Sequence, residues 1–324
     1  MAIGEIQFES PLMNAGGLLK TVADVEMMAR TAVGAVLAGS FTLDGRVGNS
    51  PGGETVYYHD YKAQVSYNSL GMPNAGAREL AASGELQQMV NIAHDLGKPF
   101  IFNFAPVSGD PVDEVITLGG ILSKYEIEGI DAIELNASCP NVITKDGGRH
   151  ELLSHHPELL EEVLAELCDI AANEVPLKAL ITRVSPFRDK TDAIALARVL
   201  ERTGIDAVSA FNTFPGGRPL NQEGEPILQV RGGVGVPDGT GGQSGLGMSA
   251  ATEEQTQWLI DARTEVEGAF DIIGSNGIGS GETMKRRIDM GAVAVSATTL
   301  FWESASWGEA ASRILEEYAE LGGV

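Results

Sequence analysis

A closed barrel of eight parallel βα units is the fold class that this sequence predicts, and three observations predict it. Short β-branched or apolar runs alternate with amphipathic, charged stretches from end to end. There are eight of each. The three longest connections all leave the same ends of the runs. Strict alternation argues for parallel units, and the count argues for a (β/α)8 TIM barrel rather than an open doubly wound sheet. The 324 residues, 43% of them hydrophobic, are read as one domain over 1–324, because barrels of this length are commonly single units.

Candidate strands fall at 12–15, 35–39, 100–104, 132–136, 179–184, 207–211, 272–275 and 292–296. Helical patterns follow them at 22–32, 84–96, 111–127, 157–173, 190–203, 251–266, 281–290 and 303–321. Thr21 and Asp24, Ser280 with Glu282, and Pro157 are helix-start signals. In the fourth helix Leu160, Val163, Leu164, Leu167 and Ile170 recur mostly at spacings of three and four, one buried stripe. Cys168 lies beside that stripe and is read as a packing residue. The long connections are 40–83, 139–156 and 212–248, all at strand C-termini. Long excursions in a compact domain are usually functional, and in this fold the strand C-termini form the rim of the active site.

Net charge is −23, from 22 Lys plus Arg against 45 Asp plus Glu. Such a surface repels nucleic acid and anionic membranes, so neither is expected as a partner. No apolar run approaches the roughly 18–20 residues that cross a bilayer. Two cysteines make no disulfide framework, and no CxxC or HExxH spacing suggests a metal site. A reducing cytoplasm is the expected home.

Three features carry chemistry. The run Gly274-Ser275-Asn276-Gly277-Ile278-Gly279-Ser280-Gly281 joins the seventh strand to a helix, and Ala297-Thr298-Thr299 follows the eighth. Backbone N–H groups in such turns hold anions without a Cβ in the way, and barrels often bind phosphate at these two loops. Gly241-Gly242-Gln243-Ser244-Gly245 is a third donor loop. Asparagine is a poor strand former, yet Asn68, Asn103, Asn136, Asn141 and Asn212 lie in or near strand ends. Each amide both donates and accepts, which suits an imide-like ring. Cys139 sits between Asn136 and Asn141 and opens a long excursion, where a thiol serves as nucleophile or base. His150, His155 and His156 in that excursion have no partner at metal spacing and are read as surface or lid residues.

Glu134-Leu135-Asn136-Ala137-Ser138-Cys139-Pro140-Asn141 resembles the active-site loop of the soluble, cysteine-using dihydroorotate dehydrogenases. Asn14-Ala15-Gly16-Gly17 resembles that family's first flavin loop. Arg46-Val47-Gly48-Asn49 and Asn68-Ser69-Leu70-Gly71-Met72-Pro73-Asn74 resemble its substrate loop. Asn212-Thr213, the Gly241–Gly245 run and the two phosphate loops fall in the family's order, so the likeness covers nearly the whole chain.

The resemblance implies an FMN-dependent dehydrogenase that oxidises dihydroorotate to orotate in pyrimidine biosynthesis, with Cys139 as the base. It implies a pyrimidine-like substrate held by Asn68, Leu70, Gly71, Met72, Asn136, Asn141, Asn212 and Thr213. FMN would lie against Ala15, Gly16, Gly17, Ser40, Asn103, Asn136, Phe211 and Gly245, with its phosphate on Asn276, Gly277, Ala297 and Thr298. Where the family has a flavin-facing Lys in its fifth strand, Arg183 aligns best and Lys178 is the alternative. A homodimer and a separate electron acceptor (fumarate, quinone or a reductase subunit) are further implications.

One departure concerns the substrate. Gly39 stands where the family has a Lys, so either another cation compensates or the substrate is a different ring. Restoring the charge by Gly39→Lys is expected to raise activity on dihydroorotate. Three other readings stay open at this point: an ene-reductase on another activated alkene, a non-redox isomerase or aldolase, and a flavin-binding subunit without turnover.

Overall fold

The computed structural model describes residues 1–107, 109–138, 152–232 and 236–323. Two short strands, β1 (Ala2–Ile3) and β2 (Ile6–Gln7), form an antiparallel hairpin ahead of the first barrel strand. The chain continues through β3 (Leu12–Asn14), α1 (Val22–Ala29), β4 (Val36–Phe41), β5 (Tyr57–Asp60), β6 (Val65–Asn68), α2 (Ala77–Ser83), α3 (Glu85–Asp95), β7 (Phe100–Phe104) and α4 (Pro111–Lys124). Next come β8 (Ala132–Asn136), α5 (Pro157–Asn173), β9 (Ala179–Val184), α6 (Lys190–Thr203), β10 (Ala207–Ala210), β11 (Phe214–Gly217), β12 (Gly241–Ser244) and α7 (Ser249–Glu265). The last elements are β13 (Asp271–Ser275), α8 (Gly281–Asp289), β14 (Ala294–Ala297), α9 (Thr299–Trp302) and α10 (Trp307–Glu320).

Eight parallel strands lie in the order β3-β14-β13-β10-β9-β8-β7-β4, each at one of the expected positions. Helix starts follow their caps: Thr21 and Ser280 accept from the backbone of α1 and α8, and Asp189 from that of α6. Between β3 and β4 the ladder gives way to a side chain. The Asn14 carboxamide donates to Leu37 O at 2.7 Å and accepts from Leu37 N at 3.0 Å. Gly34 N also donates to Leu12 O at 2.8 Å. An amide side chain carries the same donor and acceptor as a peptide, so Asn14 replaces the missing rungs and brings the sheet close to a complete barrel.

Strand parity divides the barrel into layers. Ile101, Ala132, Ile181, Ala207, Ile273 and Ala294 fill the lower interior, closed from below by Ile3, Ile6 and Phe8 of the hairpin segment. Two residues further along the same strands come Asn103, Glu134, Arg183, Ser209, Ser275 and Ser296, all buried. The interior therefore turns from apolar to polar as the strands approach their C-terminal ends. Residues of the opposite parity, such as Phe100, Phe102, Ile133 and Val208, pack outward against the helices, each contributing roughly 1.5–3 kcal/mol by burial.

Two of the three long connections contain a feature not expected from the sequence. β5 and β6 from the first, and β11 and β12 from the third, assemble into a four-stranded antiparallel sheet in the order β11-β12-β6-β5. Most of the second connection, including Cys139, Asn141 and His150, lies outside the described residues. Cys168 is half-buried on α5 and its Sγ donates to Thr203 O at 3.4 Å; burial pushes the thiol up, away from reactivity.

Candidate functional site

A cavity of about 380 Å³ opens at the C-terminal ends of the strands. Its floor is the polar layer of the barrel, and β6 and β12 of the four-stranded sheet contribute Asn68 and Ser244 to its wall. The size suits a flat cofactor or a small ring.

A chain of hydrogen bonds crosses the floor. Asn136 ends β8, and its Nδ2 donates to Ser40 Oγ at 2.8 Å. Its Oδ1 accepts from the Ser138 hydroxyl at 3.0 Å and from Ser138 N at 3.2 Å. Asn212 Nδ2 donates to Ser138 O and Oγ, both at 3.0 Å. Asn276 Nδ2 in turn donates to Asn212 O at 3.1 Å and to Gln243 O at 3.2 Å. The amides are thus locked in orientation by one another, which gives a ring a fixed pattern of donors and acceptors. Ser138, the residue before Cys139, is held in this network.

Of the other expected contacts, Asn68, Leu70, Gly71, Met72 and Thr213 line the cavity, as do Ala15, Gly16, Gly17, Ser40, Phe211, Gly245, Gly277, Ala297 and Thr298. Asn103 does not. It is fully buried beneath Gly16, where a Cβ would lie 3.2 Å from Asn103 Nδ2, and it donates to Glu134 Oε1. Asn103 therefore supports the floor from below. His155 Nε2 donates to Pro186 O at 3.2 Å and burial holds its pKa down, so it ties the end of the second connection to the loop after β9.

Position separates Arg183 from Lys178. Lys178 precedes β9 at the far end of the barrel and its Nζ donates to Asp131 Oδ1 at 2.7 Å. Arg183 lies near the cavity end of the same strand and lines it. Its Nη1 is 3.7 Å from Glu134 Oε1. Burial pushes the Glu134 carboxyl up and the Arg183 guanidinium down, and their mutual attraction opposes both shifts. Three buried polar atoms have no hydrogen-bond partner among the described residues and belong to cavity-lining side chains: Arg183 Nη1, Thr213 Oγ1 and Asn276 Oδ1. Unmet groups of this kind fit a ligand with both acceptors and donors.

The Gly-rich loop after β13, where phosphate is expected, has a backbone that only glycine allows. Gly277 has φ +73°, and a Cβ there would come within 2.6 Å of the Ser249 Cα. Only glycine satisfies both constraints. Gly39 is different in kind. Its φ is +125° and a Cβ would come within 2.3 Å of Asn103 O, so no side chain fits. This geometry stands against the expectation that Gly39→Lys would restore a family cation, because the added Cβ meets the Asn103 backbone.

Lys20, Tyr57 and Trp302 also line the cavity, and the sequence reading missed them. Tyr57 and Trp302 stack at 5.0 Å and the Tyr57 hydroxyl donates to Glu303 Oε1 at 2.5 Å. Lys20 Nζ donates to Ser40 O at 2.7 Å. Lys20 follows directly on the Gly16-Gly17 loop, a signal that could have found it. Among the described residues, no helix is long and apolar enough to cross a membrane.

A sequence model of the dihydroorotate dehydrogenase family matches residues 1–320. The catalytic subunit of dihydroorotate dehydrogenase B (NAD(+)) from Bacillus caldolyticus is 28% identical over 91% of this chain and 82% of its own length. The corresponding subunit from Bacteroides thetaiotaomicron is 30% identical over 72% of this chain and 69% of its own. Dihydroorotate dehydrogenase A (fumarate) from Lactococcus lactis subsp. cremoris is 26% identical over 97% and 91%. Among solved structures, a dihydroorotate dehydrogenase from Eimeria tenella, in complex with ferulenol, superposes with a TM-score of 0.76 at 18% identity over 98% of this chain and 83% of that one, a likeness of fold.

Proposed function

The chain belongs to the dihydroorotate dehydrogenase family, oxidoreductases that act on a CH–CH bond in pyrimidine biosynthesis, and on that premise we propose that it oxidises dihydroorotate with FMN in the barrel cavity. Membership of an oxidoreductase family sets aside the isomerase and aldolase readings. The observation that carries the proposal is the locked chain Ser40–Asn136–Ser138–Asn212 beside a buried guanidinium.

The cofactor fits on two counts. Gly277 leaves room for a close backbone approach, and Arg183 Nη1 is a buried donor awaiting an acceptor. Asn276, Gly277, Ala297 and Thr298 would hold the phosphate, and Ala15, Gly16, Gly17, Ser40, Phe211 and Gly245 the rest. When bound, FMN supplies the hydride acceptor. Arg183 would stabilise negative charge that develops at the pyrimidine edge of the flavin.

The protein's own residues do the remainder. Asn68, Asn136 and Asn212 grip the imide edges of the substrate, Leu70–Met72 offer backbone N–H groups, and Asn141 and Thr213 complete the set. Cys139 takes one proton from the ring. The hydride leaves from the neighbouring carbon, so the two losses together form the double bond of orotate. Relatives named for NAD(+) and for fumarate both match this chain, which supports a separate electron acceptor. A cytoplasmic homodimer completes the proposal.

The test is Cys139→Ala. It should retain FMN while flavin reduction by dihydroorotate falls by about 100- to 10,000-fold, the usual share of a general base. An unchanged reduction rate would remove Cys139 from the chemistry.

A further inference from the structure

The cavity has a charge character opposite to that of the protein. The chain carries 45 acidic residues and a net charge of −23. Yet among the described residues that line the cavity there is no Asp or Glu, and the charged ones are Lys20 and Arg183. Arg183 faces Glu134 across 3.7 Å, so much of its field is balanced from beneath.

Lys20 arrives from the segment between β3 and α1. Its ammonium donates to Ser40 O at 2.7 Å and stands 5.5 Å from the centre of the Phe41 ring. Ser40 Oγ is the acceptor for Asn136 Nδ2, which puts the ammonium at the amide-rich end of the floor. At that end a cation cannot come from strand β4 at residue 39, because Asn103 O closes the space above Gly39. A charge carried by a long side chain from the neighbouring loop is the geometry that remains open.

We propose that Lys20 is a specificity-determining residue, its ammonium pairing with the carboxylate of an acidic ring substrate so that the cavity prefers the ring acid to its neutral counterpart. The proposal rests on the dihydroorotate reading above. It also gives an anion a local attraction strong enough to oppose the repulsion of the acidic surface.

The experiment uses the FMN-loaded protein and two probes, orotate and methyl orotate, which share a ring and differ in charge. Binding of each is read from the perturbation of the flavin spectrum in wild type, Lys20→Met and Lys20→Arg, with FMN content and Tm measured alongside. Lys20→Met should weaken orotate by on the order of 10- to 100-fold, the effect of losing a hydrogen bond to a charged group. Methyl orotate, FMN content and Tm should stay unchanged, and Lys20→Arg should recover most of the orotate affinity. Equal weakening of both probes, unchanged orotate binding, or loss of FMN from Lys20→Met would each overturn the proposal. Wild-type protein that holds FMN but ignores orotate would instead overturn the dihydroorotate reading, and this proposal with it.

Discussion

Glu134 Oε1 and Arg183 Nη1 face each other at 3.7 Å inside the barrel, with the two residues only 1% and 5% exposed. The pair sits on the adjacent strands β8 and β9, at the cavity floor that Arg183 lines. Neutralising one partner strands the other charge in a low-dielectric interior. Glu134→Gln is therefore expected to destabilise the fold by about 3–5 kcal/mol in urea unfolding. The same change in an Arg183→Met background should cost much less. With FMN bound beside Arg183 as proposed, Glu134→Gln should also raise the flavin midpoint potential, because the carboxylate that faces Arg183 has been removed.

Gly39 forbids a side chain. Gly39→Ala should lower stability by about 2 kcal/mol or more, since it combines an unfavourable φ with a backbone collision. Gly39→Lys should gain no activity on dihydroorotate. Thermal unfolding and FMN content of the two variants check this; a stable, more active Gly39→Lys protein would contradict the geometry.

Gly277→Ala should act on the cofactor rather than the substrate. The added methyl meets the Ser249 backbone and shifts the cradle, so FMN content should fall at least several-fold, and added FMN should restore part of it. Retained FMN at wild-type affinity would place the phosphate elsewhere.

Asp131 governs acid stability at the opposite end of the barrel. Burial raises its pKa, but Lys178 Nζ at 2.7 Å, Phe100 N at 2.7 Å and His94 Nε2 at 2.8 Å together outweigh that and hold the carboxyl below its ordinary value. A carboxylate with a depressed folded pKa stabilises the fold above its unfolded pKa, and that contribution is lost as pH falls through the folded value. Asp131→Asn should cost on the order of 2 kcal/mol at neutral pH. The gap between the variant and wild type should narrow as pH falls below about 4. A gap that stays constant through this range would show that Asp131 is not held as an anion.

The barrel was legible because its strands begin apolar on both faces and its helices are amphipathic. The runs at 100–104, 132–136 and 179–184 match β7, β8 and β9 end to end. The four-stranded sheet was not legible. β11 is Phe-Pro-Gly-Gly and β12 is Gly-Gly-Gln-Ser, residue types depleted in strands. The pairing of β11 with β12, and of β12 with β6, is decided by tertiary contact rather than by local preference.

The site was legible where amides and glycines stood at strand ends, as with Asn136, Asn212 and Gly277. Asn103 does not line the cavity although Arg183 and Ser296 of the same layer do, because parity alone does not say which side chains of a layer reach the surface of the cavity. Lys20 was missed because a lysine near a helix start reads as a solvated residue, and its closeness to the Gly16-Gly17 loop was not weighed against that. That Arg183 and not Lys178 lines the cavity was legible in principle, since strand polarity places them at opposite ends of β9.

The most direct test of the account is the visible spectrum of the purified protein under anaerobic conditions, before and after dihydroorotate. The account predicts a flavin spectrum that bleaches on addition of the substrate. A protein that takes up no FMN on reconstitution, or a bound flavin that stays oxidised with dihydroorotate, would contradict it.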